Sequence, residues 1–220
     1  MHVLRVRYQT IEFGKTDLHI RTLRNRQEFS DPDNIAQDLG ISSANWSLFG
    51  IVWASGEILA RLMFDYDIAG KRILEVGCGI GLASLVLNQR SADITATDYH
   101  PDVESFLIEN TKLNHSELIP FIRTSWTDEI TKLGKFDIII GSDLLYERGH
   151  ADELSTFINQ HANSHCTVII VDPGRQYRTH FSKNMVDLGF LFSQRKFEDA
   201  ENLTQPTQGC SQFYTLYYQR

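Results

Sequence analysis

At 220 residues, the chain is long for one ordinary domain and short for two, so one large domain is the expectation. A formal charge of −7 and a pI near 5.6 disfavour non-specific nucleic-acid binding, because phosphate contacts need clustered lysine and arginine. With 42% hydrophobic residues and no Gly/Ser-rich or like-charge block, the chain can bury a large core and is not a disordered linker.

Residues Val3–Ile11 alternate loosely and Leu18–Leu23 alternate again, with Gly14-Lys15-Thr16-Asp17 between them. This predicts a hairpin or two edge strands ahead of the main domain. Asp31-Pro32-Asp33-Asn34 signals a turn and a helix start, and Gly40 ends the short helix that follows. From Ser55, Ile58, Leu59, Leu62 and Met63 fall on one helical face, opposite Glu57 and Arg61.

The stretch 71–82, KRILEVGCGIGL, organises the rest. Ile73, Leu74 and Val76 form the short apolar run of a strand buried on both faces. Gly77, Gly79 and Gly81 then alternate with Cys78 and Ile80 before an apolar helical pattern runs from Leu82 to Gln89. A strand that stops at glycines and feeds a helix leaves backbone N–H groups open to a ligand. Glu75, just before the first glycine, sets the ligand type: its carboxylate repels a pyrophosphate and welcomes an ammonium. Leu82 also occupies the third-glycine position of G-x-G-x-x-G, which weakens a nicotinamide-dependent oxidoreductase reading.

Asp93–Asp98 reads as the second strand of the sheet. Ligands of such sheets lie beyond the carboxyl ends of the strands, so Asp98 is expected to share the crevice with Glu75. It follows the turn at the roughly 20-residue spacing of a ribose-binding acid. A cap for the segment starting at Pro101 is the alternative. Pro101 opens the next helix, with Val103, Phe106, Leu107 and Leu113 as its buried stripe. Ile119–Thr124 is a third strand, and Phe136–Gly141, the most apolar, belongs at the centre beside Lys71–Val76. Leu154, Phe157 and Ile158 mark a helix, Thr167–Val171 a fifth strand, and Gln176–Leu188 another helix. Phe190–Phe197 and Gln212–Gln219 read as an antiparallel pair, with the polar loop Glu198–Ser211 bordering the substrate entrance. The fold class is therefore α/β: a doubly wound, seven-strand, Rossmann-like sheet with helices on both faces. Residues 1–52 form an N-terminal β-hairpin and helical extension, and 53–220 the main domain.

E-x-G-x-G-x-G after a strand resembles motif I of the class I S-adenosylmethionine-dependent methyltransferases. With Val52-Trp53 upstream and Ser142-Asp143-Leu144-Leu145-Tyr146-Glu147 downstream, the chain resembles methyltransferase family 16, a group rich in protein lysine methyltransferases. The resemblance implies S-adenosyl-L-methionine as cofactor and a protein substrate, with transfer to a lysine nitrogen as first choice. A small-molecule methyltransferase and a non-catalytic cofactor-binding protein are the alternatives. It places Glu75, Gly77, Gly79 and Gly81 at the methionine part, Asp98 at the ribose, and Trp53, otherwise an ordinary core tryptophan, over the cofactor. Tyr99 lies against the adenine or is a surface aromatic. Where the family commonly has an acid followed by tryptophan, this chain has Ser125-Trp126, so Trp126 is left to stack and Asp128 to replace the acid. Ser142 borders the cofactor. Asp143 and Tyr146 share a face if their segment makes a helical turn. Asp143 then orients the acceptor nitrogen and Tyr146 walls the pocket; capping the next helix is the alternative for Asp143. Arg175 faces the same opening or makes a structural ion pair.

Cys78, Cys166 and Cys210 stand far apart without a C-x-x-C, which indicates neither a disulfide framework nor a zinc site. The histidines show no metal-ligand spacing, so no metal is assigned, and His100 and His150 are expected at the surface. Nucleophile-elbow and Walker sequences are missing, leaving hydrolase and NTPase readings without support. No run reaches transmembrane length and the N-terminus lacks a signal peptide's apolar core, so a soluble cytoplasmic protein away from membranes is expected.

Overall fold

The computed structural model describes residues 4–25, 27, 31, 34–198, 203–205, 207, 209–210 and 212–220. The N-terminal hairpin is β1 (Val6–Phe13) and β2 (Thr16–Leu23), turning at Gly14 and Lys15. A lone hairpin is marginal in water. This one buries Ile11, Phe13, Leu18, Ile20 and Leu23 in the same core as the helices that follow. Its open edge is covered by two asparagines of α4 (Val103–Leu113) and its C-cap. Asn110 accepts the Arg21 N–H (2.7 Å) and donates to the Arg21 carbonyl (3.2 Å); Asn114 does the same for His19 (2.9 and 2.8 Å). Two side-chain amides thus stand in for a third strand and close an edge otherwise free to pair.

The main sheet has the order β5-β4-β3-β6-β7-β9-β8. Its strands are β3 (Arg72–Val76), β4 (Asp93–Asp98), β5 (Phe121–Arg123), β6 (Phe136–Ser142), β7 (Ala162–Asp172), β8 (Leu191–Phe197) and β9 (Phe213–Gln219). β3 to β7 run parallel to one another, and β9 is antiparallel to both of its neighbours, β7 and β8. The side-chain period of two sorts residues between the faces. Ile73, Ile138, Ile140 and Ile169 pack with α2 (Ala54–Asp65), α3 (Leu82–Gln89) and α4. Leu74, Val76, Ile139 and Ile170 pack with α5 (His150–His161) and α6 (Arg178–Asp187). The chain leaves β3 toward β4 on one side and returns to β6 on the other, so the crevice opens at the carboxyl ends of these strands.

Several boundaries differ from the sequence reading. α4 starts at Val103 with Asp102 as N-cap, so Pro101 precedes the helix instead of opening it. β7 begins directly after α5, where polar Asn163, Ser164 and His165 hide the strand from a hydrophobicity pattern. Pairing there is held by Cys166, whose backbone exchanges two hydrogen bonds with Arg220 (3.0 and 3.2 Å). α1 (Ile35–Asp38) is a single turn; Pro32 and Asp33 of its start signal lie outside the described residues.

Candidate active site

Gly77, Gly79 and Gly81 all have left-handed backbones, with φ of 59°, 52° and 73°. Each also lacks room for a side chain. A Cβ on Gly77 would lie 2.6 Å from Leu144 Cδ2, and one on Gly81 2.6 Å from Leu107 Cδ1. The turn is tied to β4 by two bonds: Cys78 N–H to the Thr97 carbonyl (2.9 Å) and Gly79 N–H to Asp98 Oδ2 (2.9 Å). Asp98 Oδ1 accepts the His100 N–H (2.9 Å), so both carboxylate oxygens brace the backbone that surrounds the crevice. Burial raises the Asp98 pKa against these bonds. Asp98 does not cap α4, whose N-cap is Asp102.

Glu75 is only 4% exposed. Its Oε2 accepts both the Ser84 N–H (2.8 Å) and the Ser84 hydroxyl, capping the first turn of α3 from a neighbouring strand. Only Oε1 is left to a ligand. Burial pushes the Glu75 carboxyl up to about 7, so it is poised to gain from a cation.

Across the turn, Asp143 has a left-handed backbone, φ 54°, and its N–H donates to the Val171 carbonyl (2.9 Å). The segment 143–146 makes no helical turn, and Gly149 is the N-cap of α5, so neither a shared helical face nor a cap describes Asp143. The reversal at Asp143 does that work: it bends the chain at the strand end, and Asp143 and Tyr146 still line one cavity. Arg175 grips Asp143 with a fork, Nε to Oδ1 at 2.7 Å and Nη2 to Oδ2 at 3.0 Å. Asp172 aims that arginine by accepting the Gly174 and Arg175 N–H groups (2.8 and 2.7 Å).

The cavity has a volume of about 710 Å³, within the roughly 300–1,000 Å³ of small-molecule sites. Glu75, Gly77, Gly79, Gly81 and Asp98 line one side, and Ser142, Asp143 and Tyr146 another. Trp53, Tyr99, Ser125 and Trp126 line it too. The sequence-derived site residues therefore meet in one place. Asp128 does not join them: it is not among the lining residues, and its Oδ2 accepts the Thr124 hydroxyl (2.9 Å) and the Ser125 N–H (2.8 Å), which fixes the turn. His100 is buried and stacked on Phe49 at 4.0 Å, not at the surface, and burial lowers its pKa to about 4. His150 was also expected outside, yet it lines the cavity between Trp126 and Tyr146. At the start of α5, it carries no spacing signal in the sequence that marks it for the site.

The cavity is roofed from both ends of the chain. Tyr99 donates its hydroxyl to the Leu39 carbonyl (2.6 Å), Trp53 Nε1–H donates to the Leu48 carbonyl (3.0 Å), and Asn45 Nδ2 donates to Glu147. From the C-terminal side, Thr207 and Cys210 of the β8–β9 loop line the wall. That loop is pinned by Glu57, a fully buried carboxylate on α2. Glu57 accepts the Thr204 hydroxyl (2.8 Å), the Thr204 and Gln205 N–H groups (3.0 Å each) and the Arg61 guanidinium (2.7 Å). Glu57→Gln turns one acceptor oxygen into a donor facing these donors, and a loss of about 2 kcal/mol is expected in urea unfolding.

The model of the lysine methyltransferase family matches residues 34–187. The chain belongs to the lysine methyltransferase family. The match takes in the glycine turn, Asp98 and Asp143 and stops before β8, so the loop pinned by Glu57 lies beyond it. Among relatives, the electron transfer flavoprotein beta subunit lysine methyltransferase of Mus musculus is 31% identical over 144 residues, 63% of this chain and 54% of that protein. The histidine protein methyltransferase 1 homolog of Dictyostelium discoideum is 34% identical over 120 residues, 51% of this chain and 39% of that protein. This lysine methyltransferase family chain spans about half the length of the mouse and rat relatives it matches. Its fold is shared with magnesium protoporphyrin IX methyltransferase from Synechocystis PCC 6803, solved with bound S-adenosylmethionine, at a TM-score of 0.57 and 18% identity, covering 76% of this chain and 77% of that one.

Proposed function

We propose that this chain transfers a methyl group from S-adenosyl-L-methionine to a nitrogen of a protein side chain, lysine first, releasing S-adenosyl-L-homocysteine. One observation carries the reading: Glu75 and Asp98, on neighbouring strand tips, open onto one cavity on either side of the glycine turn, and Asp143 and Tyr146 line the same cavity.

The residues suit such a cofactor. Glu75 Oε1 is the oxygen left for an α-ammonium, and a buried carboxyl raised to about 7 gains from a cation beside it. Asp98, already fixed by two backbone N–H groups, is held still for ribose hydroxyls. Trp126 and Tyr99 offer flat walls for a base. When bound, S-adenosylmethionine supplies a methyl on a positively charged sulfur, open to in-line displacement. The protein's share is to align and desolvate the acceptor. Asp143, neutralised by Arg175, orients the acceptor nitrogen; Tyr146, whose phenol is held far above its ordinary pKa chiefly by burial, stays a hydroxyl donor.

A protein acceptor is supported by the relatives' names, which specify lysine in one case and histidine in another. We place the protein in the cytoplasm, a reading supported by three free cysteines. No helix among the described residues is long and apolar enough to cross a membrane, and none of their His, Cys, Asp and Glu clusters suits a metal ion. Calorimetry with S-adenosylhomocysteine tests the cofactor. Lysate incubated with tritiated S-adenosylmethionine tests the acceptor: label is expected in a protein band and, after hydrolysis, in methyl-lysine. Label confined to small molecules would overturn the protein reading.

A further inference from the structure

An alkylammonium acceptor has no lone pair, so it must lose a proton before it can attack a methyl group. The groups already assigned to the acceptor are poor at taking it. Asp143 has both oxygens occupied by the Arg175 fork, and Tyr146 is a phenol. His150 is differently placed. Its Nδ1 lies 2.8 Å from the Leu144 carbonyl oxygen. A carbonyl only accepts, so Nδ1 carries the hydrogen and the neutral ring keeps its lone pair on Nε2.

The surroundings fit a proton acceptor. Glu147 Oε2 lies 3.5 Å from Nε2, ready to pair with an imidazolium, and Asn45 holds the other Glu147 oxygen. The ring is set edge-on between Trp126 (5.1 Å, 81°) and Tyr146 (4.8 Å, 78°), and its side chain is 16% exposed. Trp126 in turn borders the glycine turn: its Cζ2 lies 3.6 Å from where a Gly77 Cβ would be. His150 therefore packs directly against Trp126, a residue assigned to the cofactor that itself borders the glycine turn. A base hydrogen-bonded to a fixed orienting group, beside a carboxylate, is a recurrent catalytic arrangement. The other charged groups around it are Glu153 of α5, the Asp143–Arg175 pair, and Asp98 across the turn, all lining the same cavity.

We propose that His150 is the general base of the reaction: Nε2 takes the proton that the acceptor ammonium must lose. The acceptor N–H bond breaks, its electron pair stays on nitrogen, and the proton forms the Nε2–H bond of an imidazolium paired with Glu147. The freed pair then bonds the methyl carbon while the carbon–sulfur pair leaves with sulfur, and the imidazolium returns its proton to water at the cavity mouth. This rests on the methyl-transfer reading above.

The tautomer is read directly, without substrate, from long-range proton–nitrogen correlation spectra of the full chain. A neutral His150 protonated on Nδ1 is expected; an Nε2–H tautomer would overturn the role. Initial rates of tritium transfer into lysate protein are then compared for wild type and His150→Gln at pH 7 and pH 9.5. The variant should be slower by about 30-fold or more at pH 7 and within about threefold at pH 9.5, where free amines near their pKa of about 10.4 begin to supply their own lone pairs. Equal rates at pH 7, or an equal deficit at both, would sink the proposal. Calorimetry with S-adenosylhomocysteine on both proteins separates the failures. No binding by wild type defeats the cofactor reading itself, whereas unchanged binding without the pH-dependent deficit defeats only the base.

Discussion

Replacing Glu75 with glutamine should stabilise the ligand-free protein above pH 7 while weakening its affinity for S-adenosylhomocysteine by about 100-fold. Burial raises the Glu75 carboxyl from its ordinary 4.5 to about 7 in the folded state. Between those values the folded chain holds a proton that the unfolded chain has lost. Stability therefore falls as pH rises through this window, and the loss is complete above the folded value. At about 1.4 kcal/mol per unit, the penalty is on the order of 3 kcal/mol. Glutamine carries no charge to desolvate and its amide oxygen still accepts from Ser84, so the variant escapes the penalty. Thermal melts should show a higher Tm for the variant at pH 8 and little difference at pH 4.5. The same carboxylate is the one assigned to the ligand's ammonium, and binding should draw it into its ionised form. Calorimetry of the wild type at pH 6, in buffers of different ionisation enthalpy, should then show proton release on binding. A variant that melts lower at pH 8, or wild-type binding with no buffer dependence, would remove Glu75 from this role.

The second large effect is expected at the Asp143–Arg175 pair. Asp143→Asn should lower kcat by about 10²–10³, the range for a group acting on the reacting atoms, and leave S-adenosylhomocysteine binding unchanged. Asparagine keeps the shape but halves the acceptor fork, and it leaves the half-buried Arg175 without a counter-charge. Arg175→Met should also lower kcat, through Asp143, by freeing a carboxylate that the fork now holds at 2.7 and 3.0 Å. Because both changes act on one unit, the double variant should be little worse than Asp143→Asn alone. Additive losses, or a matching loss of cofactor affinity, would show that the pair only supports the fold.

Most strands of the sheet, and the central place of Phe136–Gly141 beside Lys71–Val76, were legible because parallel strands buried on both faces read as apolar runs, as in Ile138-Ile139-Ile140. The glycine turn was legible because positive φ and close packing both demand glycine there. What stayed hidden depended on contacts distant in sequence. Glu57 reads as the polar face of an amphipathic helix, yet it is fully buried because the loop at Thr204, 147 positions away, brings its donors to it. Asp128 looked like a spare acid for the site, but its nearest donors lie three and four residues back and claim it. Asp143 and Tyr146 line one cavity, but not through the expected helical turn: a left-handed reversal at Asp143 bends the chain there. His150 was missed because a histidine at a helix start carries no spacing signal of its own. Its position becomes telling only when Trp126, from the end of another strand, is seen packed against it.

The most direct test of the central claim is a crystal structure of the full chain with S-adenosylhomocysteine. Both ribose hydroxyls are expected within hydrogen-bond distance of Asp98, and the α-ammonium at Glu75 Oε1 with the glycine turn between. A ligand bound outside this cavity, or inside it with its ribose turned away from Asp98, would contradict the account.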